Sequence, residues 1–179
     1  MAFYQATIPP LPDSLRLDGQ TAVLTGATAG IGLELSLQLL SRGLRHLIVG
    51  VRDVQKGGVT RLDLLSNPKV VKNNPNAQIT VLKLDLSSLE SVAKFSNEVL
   101  TITSRLDCLI LCAGINTAHF EQTGDGNERY ATRACFCICH GIFLVLTDAS
   151  QMFSSQCFIK LLDPDASFTI GAVDCSRVS

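Results

Sequence analysis

Gly26, Gly30 and Gly32 stand in a G-x-x-x-G-x-G spacing within Thr25-Gly26-Ala27-Thr28-Ala29-Gly30-Ile31-Gly32. An apolar run, Thr21 to Leu24, precedes this stretch, and a helix-like run, Leu33 to Leu40, follows it. Glycines at a strand-to-helix turn let the backbone bend tightly and lie close to a ligand. The helix that follows offers unpaired N–H groups and the positive end of its dipole. The chemistry this permits is the cradling of a dinucleotide pyrophosphate.

Such a turn works only if a sheet holds it. Thr21–Thr25 is expected as a first strand and Gly30–Arg42 as a helix, with Ile31, Leu35, Leu37 and Leu40 on its apolar side and Gly43 closing it. His46–Val51, almost unbroken in apolar character, predicts a strand buried on both faces. Between Val54 and Gln78, Gly57-Gly58, Asn67-Pro68 and Asn73-Asn74-Pro75 interrupt the pattern and leave only Val59–Leu65 for a helix. Ile79–Leu84 predicts a third strand. Ser87-Ser88 predict the cap of a helix reaching about Thr103, with Glu90 in its first turn, and Leu106–Cys112 predicts a fourth strand. Strands alternating with helices through short turns predict an α/β fold: a doubly wound parallel sheet of Rossmann type.

Composition agrees. Of 179 residues, 46% are hydrophobic and 17% charged, which suits one globular domain and excludes a disordered chain. A formal net charge of −1 gives no footprint for nucleic acid or an acidic membrane surface. Seven cysteines, an odd number without a C-x-x-C pair, predict free thiols in a reducing, cytoplasmic setting, and the first residues carry no apolar signal core. The longest apolar stretch, Ala134 to Leu146, is about 13 residues and is interrupted by His140, too short to span a bilayer.

With these elements in place the chain resembles the short-chain dehydrogenase/reductase family, which opens with T-G-x-x-x-G-I-G; Thr25 to Gly32 matches that motif throughout. The resemblance assigns cofactor contacts to Gly26, Thr28, Ala29, Gly30, Ile31 and Gly32. It also gives Arg52, twenty residues after Gly32, the place of the basic residue that meets the adenosine 2′-phosphate. The guanidinium fork suits a phosphate, so NADP is expected ahead of NAD. Asp53 follows directly and mixes the sign of the site; the alternative is a surface Arg-Asp pair opening a loop. Asp85 and Leu86 resemble the family's step after the third strand, where a carboxylate meets the adenine edge, or else Asp85 is a helix-capping residue. Cys112, Ala113 and Gly114 resemble the N-A-G step beside the nicotinamide ribose, with sulfur in place of the asparagine amide that would stabilise the central sheet.

The resemblance runs from about Leu17 to Glu128. Its last piece, Thr123-Gly124-Asp125-Gly126-Asn127-Glu128, is similar to the retinol-dehydrogenase-like branch and to fungal secondary-metabolite reductases. It implies hydride transfer between nicotinamide and a carbonyl or alcohol, with a serine, a Y-x-x-x-K pair and an asparagine at the reacting centre. No Y-x-x-x-K occurs: the tyrosines are Tyr4 and Tyr130, and Ala134 stands four residues after the second. Counting on from Glu128 puts the family's asparagine at Ala134, whereas matching His140-Gly141-Ile142-Phe143-Leu144 to the family's L-G-H-F-L puts it at Ile138. Ser176 and Ser179 are candidates for the end of a fifth strand only. Cys135, Cys137, Cys139 and His140 could offer soft metal ligands, but alternation also places the cysteines on one strand face. His119 with Glu121, and Lys160 with Asp163, read as solvated surface pairs.

The expected organisation is an arm over residues 1–18, a dinucleotide-binding domain over 19–128 and a divergent tail over 129–179, with a sheet incomplete on its C-terminal side. The expected function is NADP-dependent oxidoreduction of a small carbonyl or alcohol, with no catalytic residue and no metal assigned in this chain. The alternatives are a non-catalytic nucleotide-binding partner of a full-length relative, or an inactive product. An open sheet edge also makes self-association an expectation.

Overall fold

A computed structural model describes residues 14–114 together with the backbone of the strand segments 153–161 and 171–172. Ten elements follow in order: β1 (Thr21–Thr25), α1 (Gly30–Ser41), β2 (His46–Val51), α2 (Val54–Ser66), α3 (Pro68–Asn73), β3 (Gln78–Lys83), α4 (Leu89–Ile102), β4 (Leu106–Leu111), β5 (Phe153–Leu161) and β6 (Gly171–Ala172). They build one sheet in the order β3-β2-β1-β4-β5-β6. β1 to β5 run parallel, and β6 pairs antiparallel with β5 only at Phe158 and Ile159.

Alternation along the strands sends side chains to two cores, one on each face. On one face Ala22, Leu24, Leu47, Val49 and Ile110 pack with Leu40 of α1, Leu64 of α2 and Val70 of α3. On the other, Val23, Ile48, Leu109 and Leu111 pack with Val92, Phe95 and Val99 of α4. The last three follow a helical spacing and are almost fully buried; each contributes about 1.5–3 kcal/mol of transfer free energy. The sheet is therefore doubly wound, and the chain crosses from one face to the other between β3 and β4.

The first and second strands form where the pattern places them, the third lies one residue earlier, the fourth ends one residue earlier, and Ser88 caps α4 by accepting the Ser91 amide. Three expectations change. α2 begins at Val54 and runs through Gly57-Gly58. Its Asp53 cap accepts the amides of Gln55 and Lys56 at 2.9 and 3.1 Å, and Gly57 packs so closely that an added Cβ would lie 2.7 Å from Val81 and 2.8 Å from Val51. Contact with the sheet outweighs the helix-propensity cost of the two glycines. Asn67-Pro68, expected as a break, restarts the chain as α3, with Asn67 capping and Pro68 in the first turn. Ile31, expected on the apolar side of α1, is 71% exposed, and Gly32, Ser36 and Leu40 form the buried line instead.

A fifth strand lies at Phe153–Leu161, upstream of Ser176 and Ser179. It makes β4 an interior strand rather than an edge. Leu17 donates its amide to the Arg42 carbonyl, and Asp18 bridges Leu44, so the chain entering β1 is held against the turn after α1. Among the described residues no helix is long and apolar enough to cross a membrane, and no cluster of potential metal ligands occurs. The expectations for Tyr4, His119, Glu121, Thr123 to Glu128, Tyr130, the Cys135–His140 group, Asp163, Ser176 and Ser179 lie outside the described residues, as does the side chain of Lys160.

Candidate functional site

The sheet order changes direction between β1 and β4: β2 and β3 are added on one side of β1, β4 and β5 on the other. Connections that leave in opposite directions open a crevice at the carboxyl ends of the strands, where ligands of such sheets bind. Every predicted site residue follows the end of one of these strands, and the parallel registers bring those ends to one rim of the sheet.

Two glycines hold left-handed backbone at the turn after β1: φ is +76° at Gly26 and +53° at Gly30. Their surroundings differ. A Cβ on Gly26 would lie 2.8 Å from the Ala113 backbone, so this glycine lets β1 and β4 close together. A Cβ on Gly32 would lie 2.1 Å from the Gly26 carbonyl, so the helix starts against its own turn. Among the described residues, a Cβ on Gly30 would meet nothing within 4 Å. Gly26 and Gly32 thus serve the protein, whereas Gly30 borders open space.

That space faces the start of α1. Ala29 occupies the cap position with extended backbone and no side-chain hydrogen bond, and the first turn carries no acidic residue. The other described helices are capped by side chains: Asp53 for α2, Asn67 for α3 and Ser88 for α4. The first intrahelical bond of this turn runs from the Leu33 amide to the Ala29 carbonyl. Among the described residues no side chain caps the leading amides of α1, and such amides with the dipole behind them suit a phosphate oxygen. Thr28 is half-buried, and Ala29 and Ile31 are exposed.

The β4 end is tied to the β1 end by Thr25, a residue whose part in the site sequence reasoning missed. Its buried Oγ1 accepts the amides of Cys112 and Ala113 at 3.2 and 3.1 Å. These bonds tie the β4 end to β1 through backbone amides, whatever side chain stands at position 112. Cys112 is half-buried and burial pushes its thiol above the usual range; Gly114 is exposed. The signal for Thr25 was its place as the polar end of an apolar strand.

On the other side of β1, Arg52 is exposed after β2, and its guanidinium has no hydrogen-bond or ion-pair partner among the described residues. Asp53 is committed differently: its Oδ1 caps α2. Both residues lie on the surface, and Asp53 opens a helix rather than a loop. Lys83, the last residue of β3, donates its Nζ to the Arg52 carbonyl. Asp85 accepts the Ser87 amide at Oδ1, 2.9 Å away, and its own amide donates to Ser91 Oγ. It shapes the turn before α4, while Ser88 is the cap. Leu86 is buried in the core on the α4 face, which leaves its backbone for the rim.

The family model described as short chain dehydrogenase matches residues 20–156. Short chain dehydrogenase yanD of Aspergillus niger is 39% identical over 135 residues, covering 75% of this chain and 41% of that protein. Short chain dehydrogenase sol3 of Alternaria solani is 40% identical over 120 residues, covering 67% and 40%. Among solved structures, a metagenomic short-chain oxidoreductase in complex with NADP is 26% identical with a TM-score of 0.52, covering 74% of this chain and 55% of its own. An uncharacterized protein from Mycobacterium paratuberculosis is 28% identical with a TM-score of 0.56, covering 76% and 44%. The chain spans about two fifths of the length of the curated relatives it matches.

Proposed function

This chain belongs to the short-chain dehydrogenase family, and we propose that it binds NADP at the rim between β1 and β4 as the cofactor-holding part of an oxidoreductase acting on a small carbonyl or alcohol. Residues 19–128 form the dinucleotide-binding unit in this reading. The observation that carries it is the uncapped start of α1, set at the point where the sheet order reverses and fronted by open space at Gly30. The family uses nicotinamide cofactors, and the NADP-bound solved relative supports the choice of ligand.

Each residue's part follows from its place. The backbone of Thr28 to Gly32 offers N–H groups to the pyrophosphate. The Arg52 guanidinium meets the 2′-phosphate, while one oxygen of Asp53 is taken up in capping α2. Asp85 and the Leu86 backbone border the adenine, and Cys112 to Gly114 line the ribose on the nicotinamide side. The bound cofactor supplies or accepts the hydride; the chain supplies its position. No residue of this chain is assigned a catalytic part, since no Y-x-x-x-K occurs in it.

Calorimetric titration with NADPH and NADH tests the reading. NADPH is expected to bind about tenfold more tightly or better, the effect of one charge-assisted contact of about 1.5 kcal/mol. Arg52→Ala should remove that preference and leave NADH affinity in place. Equal affinities in the unsubstituted chain would reject the Arg52 assignment, and no binding of either nucleotide would reject the site.

A further inference from the structure

Arg52 and Asp53 are consecutive, and their formal charges cancel. A dianionic phosphate approaching this corner would meet one cation and one anion. A seat that selects a phosphate needs a further positive charge, and the sheet brings one from elsewhere in the chain. Val51 pairs with Lys83 in register, and the Leu84 amide donates to the Val51 carbonyl at 2.8 Å. That pairing places the end of β3 against the residue just before Arg52. Lys83 then turns its ammonium onto the Arg52 carbonyl.

We infer that Lys83 is a second cation for the 2′-phosphate of NADP, forming with Arg52 a two-point seat across the ends of β2 and β3. An ammonium carries three donors. The Arg52 carbonyl takes one, and among the described residues no other acceptor takes the rest. Lys83 is exposed, as Arg52 is, so its remaining donors reach solvent beside the Arg52 backbone. The seat carries a net charge of +1 with Lys83 and none without it. The same bond anchors the backbone at Arg52, so Lys83 ties the two strand ends together as well as adding charge. The inference rests on the NADP reading above and adds to it a specificity residue from a different strand.

The test is the ratio of the NADH to the NADPH dissociation constant, measured by calorimetry on the full chain. Lys83→Met should lower the ratio about five- to tenfold, the scale of one charge-assisted contact, with NADH affinity unchanged as the sign that the fold is intact. Lys83→Arg should keep most of the preference, and Lys83→Gln should lose it. Lys56→Met, which removes a cation from the first turn of α2, should change the ratio less than twofold. If Arg52→Met lowers the ratio and Lys83→Met does not, the Lys83 inference is overturned and the Arg52 reading stands. A full ratio in Lys83→Gln, or an equal loss in Lys56→Met, also overturns it. If neither Arg52→Met nor Lys83→Met moves the ratio, or if the unsubstituted chain binds neither nucleotide, both readings fall together.

Discussion

At the residue scale, the three glycines of one motif have separate physical jobs. Gly26 and Gly32 are held by sterics inside the protein, because a Cβ on either would strike backbone. Gly26→Ala and Gly32→Ala are therefore expected to destabilise by about 1–3 kcal/mol or more, which lowers Tm by roughly 2–10 °C in a chain of this size. Gly30 has room for a side chain but holds φ at +53°. Asparagine tolerates that region, so Gly30→Asn should leave Tm nearly unchanged while weakening nucleotide binding at least tenfold. Thermal melts and titrations on the three variants separate the two roles. Unchanged affinity in Gly30→Asn would mean that the turn does not hold phosphate.

At the element scale, α2 shows how packing decides what local propensity leaves open. Two adjacent glycines argue against a helix, yet Gly57 is the residue that lets α2 lie against Val51 and Val81. Gly58 meets nothing within 4 Å. Gly58→Ala is expected to stabilise the protein by about 0.5–1 kcal/mol through helix propensity and a less flexible unfolded chain. Gly57→Ala should destabilise it, because the new methyl group must displace valine side chains from both strands. Urea unfolding of the two variants checks the opposite signs, and equal effects would mean that α2 does not sit so close to the sheet. The neighbouring helix depends on a polar anchor: Asn74 Nδ2 donates to the carbonyls of Leu40 and Leu44 at 2.9 and 2.8 Å, tying the end of α3 to the end of α1.

At the scale of the whole molecule, the two rims of the sheet carry different chemistry. The rim opposite the candidate site holds the half-buried His46, whose Nε2 lies 2.8 Å from Thr80 Oγ1. Burial, and secondarily the charge of Arg45, push its pKa below the ordinary histidine value. The unfolded chain then binds more protons than the folded one as pH falls through about 6.5. Stability should be full above that pH, decline as it falls toward the folded-state value, and level off below it. Urea midpoints from pH 8 to pH 5 are expected to show this fall, with a smaller fall in His46→Gln; a midpoint rising toward acid would contradict it. A second expectation concerns turnover. A positioned general acid contributes about 10²–10⁴-fold, and the sequence offers no Y-x-x-x-K to supply one. NADPH oxidation by the pure chain with a panel of ketones and aldehydes should stay at background, and brisk turnover would reveal another proton donor.

Sequence alone determined the order of the four strands through β4, the strand-to-helix turn and the residues at the strand ends. Those features depend on local physics: apolar alternation, glycine spacing, and serine before a helix. The family was legible too, because the turn motif at Thr25 to Gly32 is followed in order by Arg52, Asp85-Leu86 and Ala113-Gly114, each just after a strand. What only the tertiary structure decided involves atoms far apart in the chain. Thr25 reaches amides 87 and 88 positions away, and Lys83 reaches a carbonyl 31 positions away. α2 continues through two glycines because a sheet lies beneath it, and Asp53 differs from Arg52 because it caps that helix. Local patterns report which backbone states are cheap. Which side chains are left over to meet a ligand depends on which are already used by a neighbour, and neighbours exist only once the sheet has formed.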